Sequence, residues 1–264
     1  MRPLLRYHGG KWLLAPWIIS HFPAHRVYVE PFGGAASVLI RKERSYAEVY
    51  NDLDGEVVNL FRVLRAQPDD LVHAIELTPF ARDEFVESYD STDDPVEQAR
   101  RTVVRSFMGF GSNSHNQKTG FRSNSNRSGT TPAHDWRNLP DSMRAAIERL
   151  RGVVIENRDA TAVMATHDSS ETLHYCDPPY MPETRDSGSD YRHELSTVDH
   201  EKLLGFLHGL QGYVVLSGYQ TDMYADILCG WFRVDKAARA DGARKRTESL
   251  WLSPRVQDVF LHNT

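Results

Sequence analysis

Short apolar runs bounded by turn residues alternate along the chain with stretches of helical period, a pattern that predicts an α/β sheet. Arg26-Val27-Tyr28-Val29-Glu30 reads as a strand, followed by the turn Pro31-Phe32-Gly33-Gly34-Ala35-Ala36-Ser37 and a helix opening at Val38-Leu39-Ile40. Residues 47–52 form a second strand, and 55–65 a helix whose Val57, Val58, Leu60, Phe61 and Leu64 face a core. Strands are also predicted around 153–155, 173–175 and 213–217, and helices over 13–21, 160–165, 197–208 and 221–229. Three runs near the end, 231–235, 246–252 and 256–261, read as strands, the last two joined by Ser253-Pro254, so the sheet finishes on an antiparallel pair.

Between 67 and 150 the strand pattern stops. Helical stretches at 68–77, 81–90 and 95–107 follow one another, which predicts a helical insertion. Inside it, 109–131 is rich in Gly, Ser and Asn. The segment 181–195 is polar without a period and is read as a mobile lid.

A chain of 264 residues is long enough for a full α/β core with one insertion. Its 40% hydrophobic and 25% charged content is that of a soluble globular protein. No apolar run approaches the ~18 residues of a membrane helix, and the N-terminus lacks a secretory apolar region. The 2 cysteines, Cys176 and Cys229, make no disulfide framework, so a reducing cytoplasm is expected. Neither CxxC nor HExxH occurs, and no metal site is expected. The net charge of −5 argues against a nucleic-acid partner until its distribution is considered. Lys118, Arg122 and Arg127 stand without an acid across 109–130. Arg233, Lys236, Arg239, Arg244, Lys245 and Arg246 face only Asp235 and Asp241. Two basic segments on an acidic body can make a phosphate-binding face; each alone also reads as a solvated loop. Amides among the cations of the first segment (Asn113, Asn116, Asn124) have the chemistry that reads base edges, while a disordered polar loop has the same composition.

Tyr175-Cys176-Asp177-Pro178-Pro179-Tyr180 carries the candidate chemistry. It stands at a strand's C-terminal end, where open α/β sheets bind ligands. The prolines stiffen the exit and free carbonyls to accept. A carboxylate, a rigid carbonyl and an aromatic face suit a flat ring bearing an amino group; a Pro-Pro turn with an ordinary turn acid is the plainer alternative. The Gly33-Gly34 turn has the anatomy of a nucleotide-binding βα unit but not GxGxxG. Asp52 ends the next strand about twenty residues on, where an acid can accept ribose hydroxyls. A ribose acid without a phosphate fingerprint points to a phosphate-free nucleoside such as S-adenosyl-L-methionine. Asp54 competes for the role, although it suits the N-cap of the 55–65 helix. Asp159 either caps a helix or meets an adenine. Lys11, at the Gly9-Gly10 turn, either holds an anion or is exposed.

Tyr7-His8-Gly9-Gly10-Lys11, Glu30-Pro31-Phe32-Gly33-Gly34, Asn51-Asp52, Asp177-Pro178-Pro179-Tyr180 and Arg246-Thr247-Glu248 occur in the order seen in Dam-type (alpha-class) DNA adenine N6-methyltransferases, which the chain resembles over nearly its whole length. The resemblance implies a Rossmann-like S-adenosylmethionine-dependent core, 1–66 and 150–264. It further implies an inserted helical target-recognition domain, 67–149, carrying a hairpin loop. It implies that Tyr7, Lys11, Phe32, Gly33 and Gly34 line the methionine end of S-adenosyl-L-methionine, with Asp177 beside them. Asp52 would hold the ribose and Asp159 the adenine. Asp177, Pro178, Pro179 and Tyr180 would hold a base flipped from double-stranded DNA. DNA contacts are expected from Asn113, Asn116, Lys118, Arg122, Asn124, Arg127, Arg239 and Lys245, and a monomer is expected in solution. Methylation of cytosine N4, or of an amine in RNA or protein, uses the same pocket logic, and a catalytically inactive DNA-binding relative is a further alternative.

Overall fold

A computed structural model of the chain describes residues 2–111, 118–124, 129–184, 191–239 and 245–262. The β-branched and aromatic runs form five parallel strands: β1 (Val27–Glu30), β2 (Ala47–Asn51), β3 (Val153–Glu156), β4 (Thr172–Cys176) and β5 (Tyr213–Ser217). A hairpin of β6 (Phe232–Arg239) and β7 (Lys245–Leu252) completes a seven-stranded sheet in the order β3-β2-β1-β4-β5-β7-β6. β7 is antiparallel to both neighbours. In register, Val29 lies between Val49 and His174.

Side-chain alternation divides the core between the two faces of the sheet. Tyr28, Tyr50 and Tyr175 point to one face, packed with α1 (Ala15–Ile19), α2 (Ser37–Arg41) and α3 (Gly55–Ala66). Val29, Val49 and Cys176 point to the other; there α9 (Ala160–His167), α10 (Thr197–Leu207) and α11 (Asp222–Ile227) cover them. Helices on both faces are what a parallel sheet requires. From β1 the order runs to β2 on one side and β4 on the other, so a crevice opens at the C-terminal ends of β1 and β4.

Between α3 and β3 lie α4 (Pro68–Leu77), α5 (Arg82–Glu87), α6 (Pro95–Met108), α7 (Pro132–Arg137) and α8 (Leu139–Arg149). Four of these five have proline in the first turn, where the missing N–H costs nothing. The sequence reading found the first three and missed α7 and α8. Asp94 caps α6 by accepting from the Val96 and Glu97 N–H groups. After α6 the chain turns back on itself: Phe110 N–H donates to the Gly120 carbonyl and Arg122 N–H to the Met108 carbonyl.

Two expectations near the end are corrected. Residues 256–261 are not a strand but part of α12 (Pro254–His262). Pro254 starts a helix whose Val256 and Gln257 N–H groups donate to the Ser253 carbonyl, and β7 already occupies the edge of β5. The basic segment 233–246, which also reads as a solvated loop, instead continues the strands over its described residues, from Lys236 opposite Glu248 to Arg239 opposite Lys245.

Candidate active site

A cavity of about 470 Å³ opens at the crevice. Its walls come from the Tyr7–Lys11 turn, the exits of β1, β2, β3 and β4, and residues 191–195 with the start of α10. Tyr7, Lys11, Phe32, Gly33, Gly34, Asp52, Asp159, Asp177 and Pro179 all border it. These positions are far apart in the chain and are brought together by parallel strands that all end on the same side.

Lys11 and Asp177 meet directly, Nζ to Oδ1, at 3.0 Å. The anion that Lys11 holds is therefore a carboxylate of its own chain. Its ammonium also donates to the Gly9 carbonyl at 2.9 Å and lies 4.6 Å from the centroid of the Tyr180 ring. Burial disfavours the ammonium, but Asp177 and then Glu248 outweigh it, and the Lys11 pKa is raised. Burial also raises the Asp177 pKa, opposed by Lys11 and aided by the charge of Glu248. A carboxylate in that state is a stronger hydrogen-bond acceptor than an exposed aspartate.

The Gly33-Gly34 turn bends tightly through left-handed backbone at Gly34 (φ 46) and Ala36 (φ 52). A Cβ on Gly33 would lie 2.2 Å from the buried Tyr50 ring, and one on Gly34 would lie 2.9 Å from the Tyr7 ring. Close approach of aromatic rings, not of a ligand alone, therefore demands both glycines. Asp52 Oδ2 accepts from Gly34 N–H and Oδ1 from Asp54 N–H, each at 2.8 Å. Burial pushes its pKa up to about 6 against those two donors. Asp54 caps α3 by accepting from Glu56 N–H. Asp159 caps α9, accepting from Ala162 N–H and the Thr161 hydroxyl, which hold its carboxyl below the usual range.

Several participants escaped the sequence reading. Glu30 is buried on the cavity wall, with Tyr28 Oη and Leu39 N–H donating to its Oε2. Burial lifts its pKa to about 8 despite these donors. Asn51 stitches three strand ends together: its amide donates to the Pro31 and Arg158 carbonyls and accepts from Arg158 N–H. Arg192 spans the cavity rim to Asp54 at 3.0 Å and Glu56 at 3.1 Å. Tyr180 rests on Ser217, Tyr219 and Glu248. Among these, Glu30, Asn51 and Glu248 lay inside recognised motifs; for Arg192 no local signal exists.

The expected DNA contacts divide. Lys118 and Asn124 are exposed beside the turn after α6. Arg122 is buried instead, its guanidinium donating to the Phe107 carbonyl at 3.3 Å and facing Asp135 at 3.5 Å. That placement anchors the base of the turn. Arg239 and Lys245 pair at the far end of the β6–β7 ladder. Asn113, Asn116 and Arg127 lie outside the described residues.

Comparison with known proteins bears on this geometry. The family model for D12 class N6 adenine-specific DNA methyltransferases matches residues 7–237. A DNA adenine methylase of Serratia marcescens is 25% identical over 244 residues, covering 85% of this chain and 86% of its own. A DNA adenine methylase of Vibrio cholerae is 25% identical over 220 residues (77% and 74%), and that of Escherichia coli K12 over 197 residues (69% and 66%). The family match begins at Tyr7, on the cavity wall, and runs through every strand exit that borders the cavity into β6. With that span, the chain belongs to the D12 class of N6 adenine-specific DNA methyltransferases, enzymes that methylate adenine in DNA.

Proposed function

We propose that the cavity binds S-adenosyl-L-methionine and that Asp177, Pro178, Pro179 and Tyr180 receive an adenine flipped out of duplex DNA. The observation that carries this reading is the Lys11–Asp177 pair beside the Tyr180 ring, at a strand exit bordering a cavity with an acidic wall. The wall fits a phosphate-free cation. Of the cations on that wall, Lys11 is neutralised by Asp177 and Arg192 by Asp54 and Glu56, while Arg158 and Lys202 stand among Asp52, Asp159, Glu194 and Asp199. Asp52 remains to accept ribose hydroxyls, and Tyr7, Phe32 and the Gly33-Gly34 backbone suit the methionine end. Asp159 faces the cavity from the start of α9, where it can serve an adenine while it caps the helix.

When bound, the cofactor supplies an activated methyl group. The protein's part is positioning and electrostatics. Adenine N6 is a poor nucleophile because its lone pair conjugates with the ring. Asp177 Oδ and the Pro178 carbonyl accept from its two N–H groups and favour a pyramidal nitrogen with a free lone pair. The raised basicity of Asp177 strengthens that hold as positive charge develops on N6, and its carboxylate is placed to take the proton that N6 must lose. Lys11 keeps Asp177 oriented, and Tyr180 stacks on the base. The helices from α4 to α8 supply target recognition, with Lys118 and Asn124 on the DNA side; Arg239 and Lys245, at the end of the β6–β7 ladder, supply further DNA contacts.

Asp177→Asn tests the division of roles, since it keeps the shape that Lys11 packs against. We expect N6-methyladenine, measured by nucleoside mass spectrometry in plasmid DNA from a methylation-free host, to fall at least about 100-fold. The calorimetric Kd for S-adenosyl-L-methionine is expected to change less than about fivefold. Equal losses in rate and affinity would move Asp177 wholly to the cofactor site.

A further inference from the structure

Tyr180 is tied at its hydroxyl. It donates to Glu248 Oε2 at 2.8 Å and lies 3.0 Å from Ser217 Oγ. Tyr219 donates to the other oxygen, Oε1, at 3.3 Å, and its ring meets that of Tyr180 edge-on with centroids 4.5 Å apart. One carboxylate thus gathers two phenols, and it comes from a third element. Tyr180 leaves β4, Ser217 ends β5, and Glu248 projects from β7 opposite Lys236. Glu248 and Tyr219 do not border the cavity. Glu248 reaches Tyr180 through a direct hydrogen bond and acts on Lys11 and Asp177 through its charge alone.

We propose that Glu248 is a positioning residue: through the Tyr180 hydroxyl it locks the ring against which the target base stacks, and the β6–β7 hairpin is the arm that presents it. The inference rests on the reading of Asp177 to Tyr180 as the base pocket. Three physical points support it. A phenol bound to a carboxylate makes a charge-assisted bond, about twice as strong as a neutral one. A stacking wall must hold its orientation, because a displacement of about 1 Å at a reacting centre costs ~100-fold in rate. The β6–β7 pairing that holds Glu248 opposite Lys236 continues to Arg239 opposite Lys245, so the residue anchoring the base wall and the basic positions proposed for DNA contact belong to one ladder.

The test compares kcat and KM on unmethylated plasmid DNA for Glu248→Ala, Glu248→Gln, Tyr180→Phe and the double variant Tyr180→Phe/Glu248→Ala. Glu248→Ala is expected to lose on the order of 30-fold in kcat with the KM for S-adenosyl-L-methionine unchanged. Tyr180→Phe, which deletes only the hydroxyl, should lose about as much, and the double variant no more than either. Glu248→Gln keeps an acceptor but loses the charge assistance, so its rate should fall between those of Glu248→Ala and the wild type. Should Glu248→Ala melt below the assay temperature, Tyr180→Phe reads the same tie. The inference is overturned if Glu248→Ala costs as much in the Tyr180→Phe enzyme as alone, if Tyr180→Phe or Glu248→Ala turns over at the wild-type rate, or if Gln is as poor as Ala. Tyr180→Ala separates this failure from that of the pocket: a normal kcat there removes the stacking wall itself, whereas a large loss with Glu248→Ala unaffected removes only the anchoring role.

Discussion

At the scale of single residues, burial sets chemistry that the residue names do not show. Glu30 shares its face of the sheet with Tyr28 and Tyr175, and its carboxyl is raised to about 8 by burial. It is therefore mostly protonated at pH 7. The raised folded pKa makes its contribution to stability full below the unfolded value near 4.5. That contribution is lost as pH rises through the folded value of about 8. Within that window the folded chain holds the extra proton, and stability falls by at most about 1.4 kcal/mol per pH unit from this group. Glu30→Gln stays neutral throughout. Urea midpoints from pH 5 to 9 should decline less steeply for the variant than for the wild type; parallel declines would mean that Glu30 is ionised in the folded protein at neutral pH. Lys11 illustrates the reverse case, a buried cation kept charged by Asp177.

At the scale of elements, the turn after α6 separates two kinds of basic residue that look alike in the sequence. Lys118 stands exposed, while Arg122 is spent on the Phe107 carbonyl and Asp135, which also receives Arg2 at 2.6 Å. Lys118→Ala should weaken DNA binding evenly across sequences and reduce the salt slope of log K by about 1. Arg122→Ala should instead lower the melting temperature, with weaker binding following from the loosened turn. An Arg122→Ala protein of normal stability with the full drop in salt slope would return Arg122 to the DNA face. Thr119 N–H donates to Tyr89 Oη and the Lys118 ammonium lies 5.8 Å from the Tyr89 ring, so the turn also leans on the segment after α5.

At the scale of the whole molecule, helices α4 to α8 and the sheet share one core. Leu71, Phe85, Val103, Trp136 and Met143 belong to the same buried cluster as Tyr28 and Tyr50. Ion pairs reinforce the seam. Arg149 from α8 reaches Glu48 of β2 at 2.6 Å, and Arg105 from α6 meets Glu56 of α3, which also holds Arg192 on the cavity rim. In the buried Arg149–Glu48 pair, desolvation offsets much of the attraction, so its net contribution to stability is small. The continuous core predicts that α4 to α8 and the sheet unfold together. Urea transitions followed by far-ultraviolet circular dichroism and by the fluorescence of the 5 tryptophans, among them Trp136 in α7 and Trp251 in β7, should coincide. Two separated transitions would show that the helices fold as a unit of their own.

The sequence by itself determined whatever is local. Apolar runs between turn residues marked β1 to β5, because period and turn chemistry act over a few neighbours. Pro68 and Pro95 marked helix starts for the same reason, and the order of the Gly33-Gly34 turn, Asp52 and Asp177-Pro178-Pro179-Tyr180 was legible with the family to which it points. Local signals failed where a short apolar run was read by its content and not by its period. Val256 to Leu261 was read as a strand, yet Val256, Val259 and Phe260 have the i, i+3, i+4 spacing of a helix, Ser253-Pro254 begins that helix, and β7 had taken the sheet edge. Tertiary structure alone decided which distant side chains meet. It set Lys11 against Asp177, brought Glu248 from β7 to the hydroxyl of Tyr180, buried Arg122 and left Lys118 in water. The reason is physical: a carboxylate's role depends on desolvation and on the charges within a few ångströms, and both are properties of the packed sheet and not of the neighbouring sequence.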